Sequence, residues 1–194
     1  MDRLLTSLVV LDTLTATLGG IESYSSVLKN QRPSVALVDS KFSVVDPSFP
    51  NSVHDHMFVQ GELVGGIPFS FQLRGGPAFK DTPALDWRVY GSKGEIRITS
   101  IPGQIWMAGG THLQVYHFDT EKVEDIDLSK VLDETDPGFG FEAPVDNVAR
   151  LYNAFAKEDT EKYLDFEKSL HWARFIDNLY EHAGSKPGDF RRKD

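Results

Sequence analysis

Leu85-Asp-Trp-Arg-Val-Tyr-Gly-Ser-Lys-Gly-Glu-Ile-Arg-Ile-Thr99 decides how this chain is read. Leu85, Trp87 and Val89 alternate with Asp86 and Arg88; Ile96 and Ile98 alternate with Glu95, Arg97 and Thr99. A two-residue period marks a strand with one buried and one wetted side. Between the two runs, Gly91-Ser92-Lys93-Gly94 supplies the backbone freedom of a tight turn. The stretch predicts a hairpin with Trp87 anchoring its apolar side.

The same period recurs on either side. Ile67, Phe69, Phe71 and Leu73 share one phase, and Pro68, Ser70, Gln72 and Arg74 the other. Gly65-Gly66 joins that run to its neighbour as a two-residue hairpin loop. Further strands are expected over 21–28, 57–64, 85–90, 95–100, 104–108, 112–118 and 122–128. Residues 35–38 read as an extension of the first strand, and 39–54 as a polar, proline-containing loop.

Helical spacing brackets these strands. Leu4, Leu8, Leu11, Leu14 and Leu18 predict a first helix over 1–18, stopped by Gly19-Gly20. Near the other end Pro144 suits an opening turn, followed by an apolar stripe of Val148, Leu151, Tyr152 and Phe155. Asp165 can cap a last helix, lined by Phe166, Leu170, Ala173, Ile176, Leu179 and Tyr180. Helix, strands, then helices predict an α+β fold: an open, mostly antiparallel sheet with helices on one face. One domain is expected over 1–184, with a flexible tail at 185–194. The first helix begins almost at Met1, with only Asp2 as a cap, so the chain is expected to start inside a longer fold.

Composition narrows the function. The 194 residues are 40% hydrophobic, enough for a substantial core. Net charge is −9, which opposes nucleic-acid and anionic-membrane partners, since both recruit Lys and Arg. The one basic cluster, Arg191-Arg192-Lys193, sits in the tail. There is no cysteine, so thiol catalysis, disulfides and thiolate metal sites are excluded, and a cytoplasmic location is expected. His54-Asp55-His56 has metal-like composition but lacks a third placed ligand, and reads as a surface loop. Gly19-Gly20, Gly65-Gly66, Gly75-Gly76 and Gly109-Gly110 are turn pairs, since a phosphate cradle needs a strand before it and a helix directly after.

Several short motifs carry a resemblance that extends over nearly the whole chain. They are Leu-Gly-Gly-Ile-Glu-Ser (18–23), Asn-Gln-Arg-Pro (30–33), Leu-Arg-Gly-Gly-Pro (73–77) and the hairpin from Trp87 to Ile98. Asn-Val-Ala-Arg-Leu-Tyr-Asn-Ala-Phe (147–155) and Asp-Phe-Glu with Ile-Asp-Asn-Leu-Tyr (165–180) complete the set. In order and spacing they resemble the second domain of the Gfo/Idh/MocA oxidoreductases, in the branch that includes the fungal galactose-regulon repressor and its dehydrogenase-like relatives. That family pairs this domain with a nucleotide-binding Rossmann domain, whose glycine loop and Glu-Lys-Pro lysine have no counterpart here. The resemblance also implies an acid–base His on the first helix. The matching positions hold Val9 and Leu5, and Asp12 aligns without its His, so no catalytic residue is assigned.

The resemblance implies a substrate-binding and oligomerisation domain of an NAD(P)-dependent oxidoreductase acting on sugar-like substrates, truncated and inactive alone. NAD(P) would belong to a full-length relative, and no cofactor or metal is expected on this chain by itself. The alternative is a non-catalytic, protein-binding regulatory module. Arg74, Arg88 and Arg97 fall on the polar phase of their strands with Gln72. These four residues are the candidate interface or substrate face, open to self-association or to a Rossmann partner domain.

Overall fold

The computed structural model describes residues 3–76, 79–100, 111–130, 138–141 and 145–182. The chain divides into two compact units, Met1–Gly76 with Phe166–Asp194, and Pro77–Asp165. Both are built from open antiparallel sheets with few helices, an α+β architecture.

The first unit opens with α1 (Arg3–Leu18) and strand β1 (Ile21–Lys29). A short hairpin follows, β2 (Ser34–Val38) with β3 (Val44–Pro50), then β4 (His56–Leu63) and β5 (Ile67–Arg74). β4 lies between β1 and β5, antiparallel to both. The β4–β5 loop has three residues, Val64, Gly65 and Gly66, between the paired Leu63 and Ile67, one more than the expected two-residue loop; Gly65 and Gly66 take φ of 95° and 75°, and Gly66 N–H donates to Leu63 O at 3.0 Å.

Register sorts this sheet into two faces. Ser26 and Leu28 lie opposite Val59 and Met57, which lie opposite Phe71 and Leu73. On this face Leu28, Met57 and Val59 form the core with Leu11 of α1 and with Phe175, Leu179 and Tyr180 of the closing helix. That helix spans Phe166–His182 and is here α3. Ser26 Oγ donates to the Leu179 carbonyl at 3.0 Å, so the buried hydroxyl is satisfied by the helix it faces. The other face is open and carries Gln60, Ser70, Gln72 and Arg74, the polar phase read from the sequence.

Several expectations change here. Residues 34–38 are not an extension of the first strand but a strand of their own, β2, in a separate two-stranded sheet. The 39–54 segment contains a strand, β3, despite Pro47 and Pro50. It pairs only with β2, and a two-stranded ribbon has edges on which a missing N–H costs no ladder bond. The buried side of α3 is Trp172, Phe175, Ile176, Leu179 and Tyr180, whereas Phe166 is 96% exposed and Leu170 49%. His54-Asp55-His56 is no surface loop, because Asp55 is 5% exposed.

The second unit is a four-stranded antiparallel meander, β6 (Asp86–Tyr90), β7 (Gly94–Thr99), β8 (His112–His117) and β9 (Lys122–Ile126). The expected hairpin forms β6 and β7, its turn closed by Gly91 N–H donating to Gly94 O at 2.9 Å. Gly94 has an ordinary φ, and its requirement is steric: a Cβ there would run into the Tyr116 carbonyl of β8. At the open end Ser100 Oγ accepts from Leu85 N–H at 3.0 Å. Trp87 lies on the apolar phase with Val89, half-buried where a core anchor was expected. Helix α2 (Val145–Ala156) presents its stripe of Val148, Leu151, Tyr152 and Phe155 to solvent. The expected strand over 104–108 and the tail lie outside the described residues.

Candidate functional site

Register dictates which side chains meet on the wetted face of the second unit's sheet. Arg88 is opposite Arg97, and Arg97 is opposite Gln114, which faces Asp125 on β9. One row along, Tyr90, Glu95, Tyr116 and Val123 line up. Two like charges side by side are unfavourable, and the neighbouring rows relieve them. Arg88 grips Glu95 with Nε to Oε1 at 2.7 Å and Nη2 to Oε2 at 3.0 Å. Arg97 grips Asp86 in the same forked way, at 3.0 and 2.8 Å. Gln114 Nε2 donates to Asp125 at 2.8 Å. The hydrogen bonds from Arg97 hold the Asp86 carboxyl below the usual carboxylate range.

These groups border a shallow groove of about 210 Å³, lined by Arg88, Glu95, Arg97, Gln114, Tyr116 and Val123. Both guanidinium forks are already engaged by carboxylates, so the groove is an array of alternating charge and not a ready anion clamp. Its lining holds no histidine or hydroxyl nucleophile, apart from the Tyr116 phenol, to run proton transfer.

Gln72 and Arg74 belong to the other sheet, on β5 of the first unit. The structure therefore joins Arg88 to Arg97 and Gln72 to Arg74, but the expected single face divides between two sheets. β5 makes no ladder with β6, and Gly76, at φ 110°, takes the chain out of strand geometry after Arg74. On the open face of the first sheet, Val27, Phe58 and Gln72 form one cross-strand row, and Lys29, His56 and Arg74 the next.

Asp12 has a structural duty. Its carboxylate accepts from Trp172 Nε1 at 2.9 Å, tying α1 to α3. One further glycine motif bears on phosphate binding. Gly138-Phe139-Gly140 precedes α2 with both glycines at positive φ. The resulting nest of N–H groups is filled by the chain's own Asp146, whose Oδ1 accepts from Phe139 and Phe141 at 2.7 and 3.3 Å. Arg150 donates to the other oxygen at 2.6 Å. The Phe139 N–H first, then Arg150, holds the Asp146 carboxyl below its ordinary value. A phosphate has no room there, and Gly19-Gly20 follows a helix and precedes a strand, the reverse of a cradle. The described residues do not fit a dinucleotide. Among them no cluster of three or more His, Asp or Glu could hold a metal, and no helix is long and apolar enough to cross a membrane.

Sequence and structure comparisons agree with this architecture. The family model described as "Gal80p, C-terminal domain" matches residues 3–100. The galactose/lactose metabolism regulatory protein GAL80 of Saccharomyces cerevisiae is 26% identical over 148 residues, 68% of this chain and 33% of that protein. Among solved structures, the transcriptional regulator Gal80p from Kluyveromyces lactis superposes with a TM-score of 0.71 at 20% identity, over 95% of this chain and 46% of that one. Levoglucosan dehydrogenase in its apo form gives 0.64 at 15% identity, over 91% and 47%. The chain thus spans a third to a half of the length of these relatives.

Proposed function

Because the chain belongs to the Gal80p C-terminal-domain family, we propose that it serves as a recognition and self-association domain, without hydride-transfer chemistry of its own. The observation that carries this reading is the wetted sheet face of the second unit. A two-fold interface needs a patch complementary to itself. Arg88, Arg97, Glu95, Asp86 and Asp125 alternate in sign across that face, so a second copy turned about a two-fold axis can exchange partners with the first. Arg suits such a surface because its planar fork pairs carboxylates at interfaces.

Levoglucosan dehydrogenase, which shares the fold, favours a second reading: a substrate-bordering domain that a Rossmann domain completes, with NAD(P) and a sugar-like substrate held largely by that partner. In either reading this chain supplies surface and orientation and no proton relay. The test is analytical ultracentrifugation of the wild-type chain, of Arg88→Glu/Arg97→Glu and of Gln72→Glu/Arg74→Glu, with NADH turnover on a sugar panel measured beside it. A dimer lost in the first double variant and kept in the second, with turnover at the buffer level, is the expected result. A wild-type monomer at high concentration, or steady NADH oxidation by the chain alone, overturns the proposal.

A further inference from the structure

We propose that the end of the first sheet at Lys29, Arg32, His56 and Arg74 is a binding site for a phosphate group. Three motifs far apart in sequence converge there: Asn30-Gln31-Arg32-Pro33, His54-Asp55-His56 and Leu73-Arg74-Gly75-Gly76. Lys29, His56 and Arg74 form one cross-strand row on the open face, with neighbouring Cβ atoms about 5 Å apart. Arg32 lies against Gly76, where an added Cβ would stand 3.2 Å from its Nη1. Gly76 thus leaves space for a guanidinium two residues from Arg74.

The turn that presents Arg32 is pinned from several directions. Its N–H donates to Asn30 Oδ1 at 3.0 Å, and its carbonyl accepts from Asn51 Nδ2 at 2.9 Å. Asp55 secures the rest. Its Oδ1 accepts from Gln31 N–H at 2.8 Å, its N–H donates to Lys29 O at 3.0 Å, and its carbonyl accepts from Gly75 N–H at 2.5 Å. One buried aspartate therefore ties together the three segments that carry the cations.

Asp55 also sets the state of His56. His56 Nδ1 is 2.8 Å from Asp55 Oδ1. Burial pushes the Asp55 carboxyl up, but the Gln31 N–H and His56 outweigh it and keep it below its ordinary value. An ionised carboxylate only accepts, so Nδ1 carries the proton and Nε2 is left for other partners. The other oxygen of Asp55 is buried with no hydrogen-bond partner, so its negative charge is under-used within the fold. Lys29 and Arg32 make no ion pair among the described residues. The acid nearest in register on the open face, Glu62, lies six residues along β4, about 20 Å away and beyond the Debye length at ordinary salt. Lys29 and Arg32 thus stand as available cations on a chain of net charge −9.

The experiment is an NMR titration of the His56 imidazole with inorganic sulfate, inorganic phosphate and methyl phosphate, against chloride at equal ionic strength. A saturable shift with all three oxyanions is expected. Tighter binding of methyl phosphate would identify an ester as the source, and equal binding the free ion. Lys29→Gln and Arg32→Gln, both surface changes, should each weaken binding by at least about fivefold with the melting temperature unchanged. Shifts no larger than those from chloride, or saturable binding that both glutamine variants leave intact, overturn the proposal.

Discussion

Leu179→Ala should be among the most damaging changes in the first unit. Leu179 is 0% exposed and packs in one cluster with Leu11, Leu28, Met57, Val59, Phe175 and Tyr180. The substitution removes three carbons, which at about 0.8 kcal/mol each come to about 2.4 kcal/mol of lost transfer energy. The surrounding groups belong to two helices and two strands and cannot all collapse into the space, so a cavity term adds to this. The expected loss is about 3–5 kcal/mol, a large part of a typical domain's stability. Leu170→Ala on the same helix is the internal control, since Leu170 is 49% exposed and faces away from that cluster; it should cost less than about 1 kcal/mol. Urea unfolding followed by Trp172 fluorescence, with Trp87 and Trp106 replaced by Phe, reads the unit that contains both sites. Midpoints for the two variants that agree within error would refute the assignment of the buried side of α3, and with it the reasoning from register to core.

Two further predictions concern acid and glycine. Asp55, Asp86 and Asp146 all have depressed carboxyl values in the fold. Such groups contribute stability that is fully present above the unfolded carboxylate value of about 3.9 and is lost as pH falls through the folded ones. Thermal melts should therefore weaken steeply on the acid side, and Asp146→Asn should flatten part of that slope; an unchanged slope would show that Asp146 is not ionised in its nest. Gly94→Ala should separate β7 from β8, because its Cβ meets the Tyr116 carbonyl. Amide exchange across Arg97 and Ile98 should accelerate at least about tenfold, corresponding to about 1.4 kcal/mol of lost local stability, and unaltered protection there would show that the ladder accommodates a methyl group.

What could be read from the sequence was whatever neighbours along the chain decide. The β4–β5 and β6–β7 hairpins follow from alternation plus glycine turns, and both form with the expected side-chain phase. What escaped depends on partners that local pattern does not contain. Ser26 meets Leu179 across 153 residues, and Trp172 meets Asp12 across 160. Without those contacts the buried side of α3 was placed one step round the helix, through Phe166 and Leu170. The apolar stripe of α2 was read correctly, yet amphipathic spacing names the apolar side and not what covers it. The same holds for the candidate site. The polar phase of Gln72, Arg74, Arg88 and Arg97 was legible, but their distribution between two sheets depends on which strands pair. Asp86 and Glu95, the acids that engage the arginines, were visible only as polar positions. Asp55 looked like part of a loop because nothing nearby in sequence reveals that Gln31 and Gly75 bind it.

The division of the chain also orders its synthesis. The core of the first unit needs α3, but the whole of Pro77–Asp165 is translated between β5 and that helix. At ribosomal speeds of about 5–20 residues per second, those roughly 90 residues take about 5–20 s to make. Throughout that interval Leu28, Met57 and Val59 lack the Phe175, Leu179 and Tyr180 that complete their packing. The nascent three-stranded sheet waits with an apolar side unsealed, while every contact within the second unit can already be made as its residues emerge. A stop codon ahead of Phe175 would leave the earlier-made strands permanently without their cover, so one late helix governs the fate of strands made long before it.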